Sequence, residues 1–108
     1  MSRIRTLAAW HEEYNELEFS GRLGTPKFGI TRSQHTDGYY EHYTHNRYKS
    51  KIAISKRCFD DEDHLCGTML HEMVHQYQHE ILRRTCNHDA IFTSIARRLE
   101  RKYKFTVR

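Results

Sequence analysis

In the stretch His71-Glu72-Met73-Val74-His75, two imidazoles four residues apart flank a carboxylate, a pattern with a specific chemical use. On a helix advancing about 100° per residue, His71 and His75 lie about 40° apart and roughly one turn along the axis, so both can reach one ion. Glu72 is adjacent and can take a proton from a metal-activated water. This is the chemistry of zinc-dependent hydrolysis, and it requires a third protein ligand with the fourth position left to water. His79 continues the same face but lies a further turn beyond His75, and His64 is two turns the other way. His88 is better placed, because it opens the next periodic segment on the face of Ile91, Phe92 and Ile95. A helical hairpin would bring it back over His71 and His75. Glu100, far along that second helix, is the alternative third ligand; Glu80 is too near on the first, and position 81 is Ile.

These side chains need rigid elements beneath them. Cys66, Met69, Leu70, Met73, Val74, Tyr77 and Ile81 form one apolar stripe, which predicts a helix over 62–83. The histidine pair is centred roughly 140° from that stripe, so the stripe can pack inward while the pair faces a cleft. The acidic run Asp60-Asp61-Glu62-Asp63 is placed to start this helix through capping and the macrodipole. Arg84-Thr85-Cys86-Asn87 breaks the pattern before a second helix with Ile91, Phe92, Ile95, Ala96 and Leu99 on one face, and a tail at 104–107 that is a short strand or irregular. Upstream, Ile4, Leu7, His11 and Tyr14, with Ala8 and Leu17 at the edge, predict an amphipathic helix over 2–19, stopped by Gly21, Gly24 and Pro26. Alternation in 27–33, 39–43 and 49–55 predicts three short strands, and together a small antiparallel sheet.

A chain of 108 residues fits one domain over 1–108 with a single core. No apolar run approaches a membrane span, and the apolar stretch of MSRIRTLAAW is too short for a secretory signal, so a cytoplasmic setting and a monomer are the default expectations. Cys58, Cys66 and Cys86 are odd in number and lack a C-x-x-C spacing, which points away from a disulfide framework or zinc ribbon. The net charge of +4 is spread among acids rather than concentrated in a run.

The chain resembles the SprT-like zinc metalloproteases, in which H-E-x-x-H is followed by a third histidine opening a helix with an aromatic residue four positions later. Here these are His71-Glu72-x-x-His75 and His88-x-x-x-Phe92. The resemblance extends in order through Asn15, Phe19, Gly21-Arg22-Leu23, Pro26, Phe28, Ile52-Ala53-Ile54-Ser55 and Met69-Leu70, and covers nearly the whole chain. It implies a zincin-like α+β fold: an N-terminal helix, a small antiparallel three-stranded sheet, the H-E-x-x-H helix and a C-terminal helix. It also implies one catalytic Zn2+ on His71, His75 and His88, with Glu72 as general base and then acid. The implied activity is endopeptidase, with protein or peptide substrates that include DNA-associated proteins. Two features depart from the family pattern: Asp89 stands where relatives commonly carry Gly, and the interval from His75 to His88 is short. Asp89 is expected either to charge the helix start or to hydrogen-bond a ligand histidine from outside. Many relatives continue into a C-terminal zinc ribbon or DNA-binding region, which does not follow here, so a DNA-dependent role does not carry over automatically.

For a second oxyanion donor the sequence offers Tyr39, Tyr40, Tyr43, Tyr77, Tyr103 and several arginines without a choice among them. The strand Tyr39–Tyr43 is the candidate to pair with an extended substrate. Two other functions stay open. One is a nucleic-acid-binding module with structural zinc, using Lys49, Lys51, Arg83, Arg84, Arg97, Arg98, Arg101, Lys102 and Lys104, with Cys86 closing the site as fourth ligand. The other is an inactive interaction protein on the protease fold.

Overall fold

A computed structural model describes residues 2–43 and 49–107. Helix α1 spans Arg3–Phe19, with Ser2 as N-cap accepting from the Arg5 amide. It ends through left-handed Ser20 and Gly21, and the side chain of Asn15 then clasps both the N–H and the C=O of Leu23 at 3.1 and 3.0 Å. The side chains it buries are Leu7, His11, Tyr14 and Phe19. Ile4, expected on the inner face, and Leu17, expected at its edge, are 43% and 59% exposed, because the contact seam is narrower than the apolar arc.

Strands β1 (Lys27–Thr31), β2 (Gly38–His42) and β3 (Ser50–Ser55) form one sheet in the order β1-β3-β2. The sheet is mixed rather than antiparallel as expected: β2 runs antiparallel to β3, but β1 is parallel to it. Successive strands do reverse direction. It is the order that differs, because β3 inserts between the other two. Ile52, Ala53 and Ile54 are all fully buried, so β3 is covered on both faces and takes the centre, while β1 and β2 remain partly exposed. The segment joining β1 to β2 crosses the C-terminal end of β3, where the Asp37 carbonyl accepts from the Ser55 amide and the Ser33 carbonyl from the Ser55 hydroxyl.

A 3₁₀ turn at Lys56–Asp60 leads into α2 (Glu62–Glu80), capped by Asp61, whose carboxylate accepts from the Asp63 amide. The acidic run thus starts the helix as expected. Met69, Leu70, Met73 and Val74 are fully buried against the sheet and the flanking helices. The helix stops three residues short of the expected 83: the Leu82 amide turns back to the Tyr77 carbonyl, and Arg83 takes a positive φ. Helix α3 (Ala90–Tyr103) buries Phe92, Ala96 and Leu99. The tail beyond it is irregular and lies over Gly67, where a Cβ would run into the Thr106 carbonyl oxygen. No described helix is long and apolar enough to cross a membrane.

Candidate metal centre

Helix α2 carries His71 and His75 on one face, and His88 lies in the loop just before α3. The three Nε2 atoms converge: His88 Nε2 is 3.1 Å from that of His75 and 3.2 Å from that of His71. Nitrogens about 2.0–2.1 Å from one tetrahedral ion stand about 3.3–3.4 Å apart, so the spacing fits a shared cation after a small outward movement. The three side chains form a group of mutually close ligand atoms.

The tautomer of His75 follows from its surroundings. Gln78 Nε2 donates to the Asn87 carbonyl at 3.0 Å and to the Asp89 carboxylate at 3.4 Å, both pure acceptors. Its Oε1 must therefore face His75 Nδ1, which donates to it at 2.8 Å. The His75 Nε2 lone pair is left pointing into the cluster. Burial lowers the His75 pKa despite the Gln78 bond, and burial together with the charges of His75 and His88 brings His71 down to about 4. Both imidazoles are neutral at pH 7, and three nitrogens sharing so small a volume suit a cation better than one another.

Packing fixes the rings as well. Phe92 lies against all three, with its centroid 4.9 Å from that of His71 and 4.7 Å from those of His75 and His88. Its position follows from Asp89, the N-cap of α3, whose carboxylate accepts from the Phe92 amide at 3.0 Å. Asp89 thus takes the helix-start role expected of it; among the described residues it bonds no histidine directly and meets His75 only through Gln78, 3.4 Å away. Among the described residues His71 has no such outer partner, its Nδ1 being buried without a hydrogen bond.

Glu72 points its carboxylate to the same place, Oε2 standing 4.0 Å from His71 Nε2. Only 4% exposed, it has its pKa raised to about 8 by burial. A cavity of about 230 Å³ opens beside His71 and His88, walled by Phe92, Ala96 and Val107 with Arg97 at its edge.

The other candidates lie elsewhere. His79 Nδ1 meets the Tyr40 hydroxyl at 3.0 Å, and its ring stacks on His42. His64 bonds Asp37. Glu100 borders the cavity, but its carboxylate accepts from the Val107 amide at 2.9 Å. Cys86 turns its thiol to the His75 carbonyl at 3.2 Å and is not grouped with the three histidines. Among the candidate oxyanion donors, Tyr40, Tyr43 and Tyr103 bond His79, Glu41 and Glu18 respectively, and Tyr77 packs on Phe19. The sequence reading missed Gln78, although a glutamine one turn after a ligand histidine was a usable signal.

A sequence model of the SprT-like family matches residues 7–108. No curated protein matches the chain.

Proposed function

The chain belongs to the SprT-like family, and from that premise we propose that it is a zinc-dependent endopeptidase with a zincin-like fold. His71, His75 and His88 hold the metal and Glu72 is the catalytic carboxylate. The observation that carries this proposal is the meeting of three imidazoles, with His88 Nε2 3.1 and 3.2 Å from the Nε2 atoms of His75 and His71, beside a buried carboxylate.

Zinc held by these nitrogens supplies Lewis acidity to a water and to a peptide carbonyl. The chain's own residues do the rest. Glu72 receives the proton of the attacking water at its carboxylate and passes it to the departing amine nitrogen, so one group serves as base and then acid. Its burial favours holding that proton, while a dication nearby restores the anion that must first accept it. Gln78 and Phe92 keep the His75 ring in position, and the low polarity around Phe92 strengthens the electrostatics at the reacting atoms. Strand β2 lies at an edge of the sheet, which suits backbone pairing with an extended protein or peptide and gives loose side-chain specificity.

The histidine site has three protein donors and a neighbouring cavity, and the Cys86 thiol is committed to a backbone carbonyl. That favours an open catalytic site over a closed structural one. Arg98 and Lys102 both contact the Glu18 carboxylate, which weakens the basic face a nucleic-acid module would need.

The test is Glu72→Gln, which removes the base but no ligand. Zinc content should be retained while zinc-dependent cleavage of casein or a peptide is lost. Full activity in this variant would overturn the mechanism. His88→Ala should lose metal at chelator concentrations the parent survives, and unchanged zinc content would remove His88 from the ligand set.

A further inference from the structure

At the C-terminal end of β3, three separate segments bring a carboxylate, a thiol and an imidazole together. Asp37 comes from the β1–β2 connection, Cys58 from the 3₁₀ turn and His64 from the first turn of α2. His64 Nε2 is 2.8 Å from Asp37 Oδ2 and 3.7 Å from Cys58 Sγ, and all three ligand atoms lie within 4.8 Å of one another. We propose that Asp37, Cys58 and His64 form a second metal site, separate from the three histidines, for a borderline-soft divalent ion of the zinc and cobalt class.

The ion pairs at this place account for the carboxylate but not for the thiol. Arg57 grips Asp37 Oδ1 from Nη2 at 2.7 Å and from Nε at 2.9 Å, leaving Oδ2 turned to His64. Cys58 is fully buried; its thiol donates a long hydrogen bond to the Asp37 carbonyl at 3.7 Å, and the sulfur also lies 3.7 Å from His64 Nε2 and 3.9 Å from Thr68 Oγ1. Around a tetrahedral ion, with metal–sulfur and metal–nitrogen bonds of about 2.3 and 2.0–2.1 Å, a sulfur and a nitrogen ligand stand about 3.5–3.6 Å apart. The observed 3.7 Å already has that separation, and the imidazole–carboxylate pair would open by about 0.5 Å to admit an ion.

The mixed N, S and O donor set disfavours calcium and magnesium, which require oxygen ligands. A cavity of about 410 Å³ bordered by Asp37, His64 and Thr68 offers the ion an entry and a place for water as fourth ligand; Asp61, Asp63 and Lys104 also line it, two negative charges against one positive. The Arg57 guanidinium on Asp37 orients the carboxylate as a ligand's outer partner commonly does. On binding, Cys58 Sγ–H releases its proton to solvent and the thiolate donates a pair to the ion; nothing is oxidised or reduced.

Cobalt(II) separates the two sites, because the histidine site contains no thiolate. Added to metal-free full-length protein, Co2+ should produce a thiolate-to-cobalt charge-transfer band in the near ultraviolet. The band should persist in a His75→Ala, His88→Ala double variant and in Cys86→Ser, and vanish in Cys58→Ser. His64→Gln changes a side chain that is 39% exposed, so the fold survives. It should weaken cobalt binding, read from the same band, about 10-fold or more. Absence of the band in the parent with excess Co2+ would overturn the proposal, as would its survival in a Cys58→Ser variant of unchanged circular dichroism. Neither result bears on the peptidase, whose failure is read from Glu72 and His88.

Discussion

Replacing Gln78 by methionine separates the orientation of a ligand from its mere presence. Gln78 is 1% exposed, and its amide joins three groups: His75 Nδ1, the Asn87 carbonyl and the Asp89 carboxylate. Methionine keeps the length and removes every bond. Asn87 is exposed, so water replaces its lost donor, and Asp89 retains the Phe92 amide and Arg84. The loss therefore concentrates on His75, whose outer N–H is stranded and whose ring becomes free to turn or change tautomer. Removing such an outer partner costs metal affinity about 10–100-fold, or about 1.4–2.7 kcal/mol. Metal-free stability should fall by about 1–3 kcal/mol from the unsatisfied group. Competition against a chromogenic zinc chelator measures the first effect, and thermal unfolding in excess chelator the second. Gln78→Glu provides the contrast: it preserves an acceptor for His75 but loses the donation to Asn87 and sets a carboxylate against Asp89. It should keep zinc affinity near that of the parent while lowering metal-free stability. Unchanged zinc affinity in Gln78→Met would refute the assignment of His75 orientation to this amide.

Gly67→Ala should destabilise the protein by about 1–3 kcal/mol through overpacking, because the added methyl meets the Thr106 carbonyl; a drop in Tm with little change in zinc affinity is the expected readout. The Glu18 carboxyl is 1% exposed, and burial alone would raise its pKa, but hydrogen bonds from Lys102 and Tyr103 and the charges of Lys102 and Arg98 outweigh this and lower it. Its stabilising contribution is thus fully present above the unfolded carboxylate pKa, about 4.3, and is lost as pH falls through the lower folded value; Glu18→Gln should flatten the acid limb of stability against pH, and an unchanged limb would exclude the pairing as its source. Asn15→Ala strands both backbone groups of buried Leu23 and should cost about 1–3 kcal/mol per unsatisfied group, measured by urea unfolding.

What could be read in the sequence was what depends on neighbours along the chain. The α2 and α3 stripes and the acidic cap are local, so helix starts and apolar faces came out close to their observed positions. The approach of His88 to His71 and His75 also followed, since a short break between two helices leaves few ways to pack them. Strand order did not follow. Alternation in 27–33 and 39–43 reports which face is buried, but whether β3 pairs outside β2 or between β1 and β2 depends on what covers its second face. The run Ile52-Ala53-Ile54, buried on both sides, held that information in a form that alternation treats as one-sided.

The polar residues of α2 carry the remaining information. By periodicity Glu72, Gln76 and Gln78 belong on a solvent face, yet all three are buried, because α1, the sheet, the 81–89 loop and α3 enclose the helix. A buried polar side chain is costly unless it is bonded, and two of the three meet that requirement in full. Gln76 bonds His11, the Gly24 carbonyl and Glu80, and Gln78 serves His75 and the head of α3. Glu72 does not: burial sets its raised pKa, and no hydrogen bond among the described residues offsets it. Beside two glutamines so fully bonded, a desolvated carboxylate aimed at three converging imidazoles is a stability cost that folding does not require. Substitution by a residue indifferent to that cost, Glu72→Gln, should leave Tm equal to or above that of the parent while activity is lost. A large fall in Tm would instead mean that the carboxylate is a structural group.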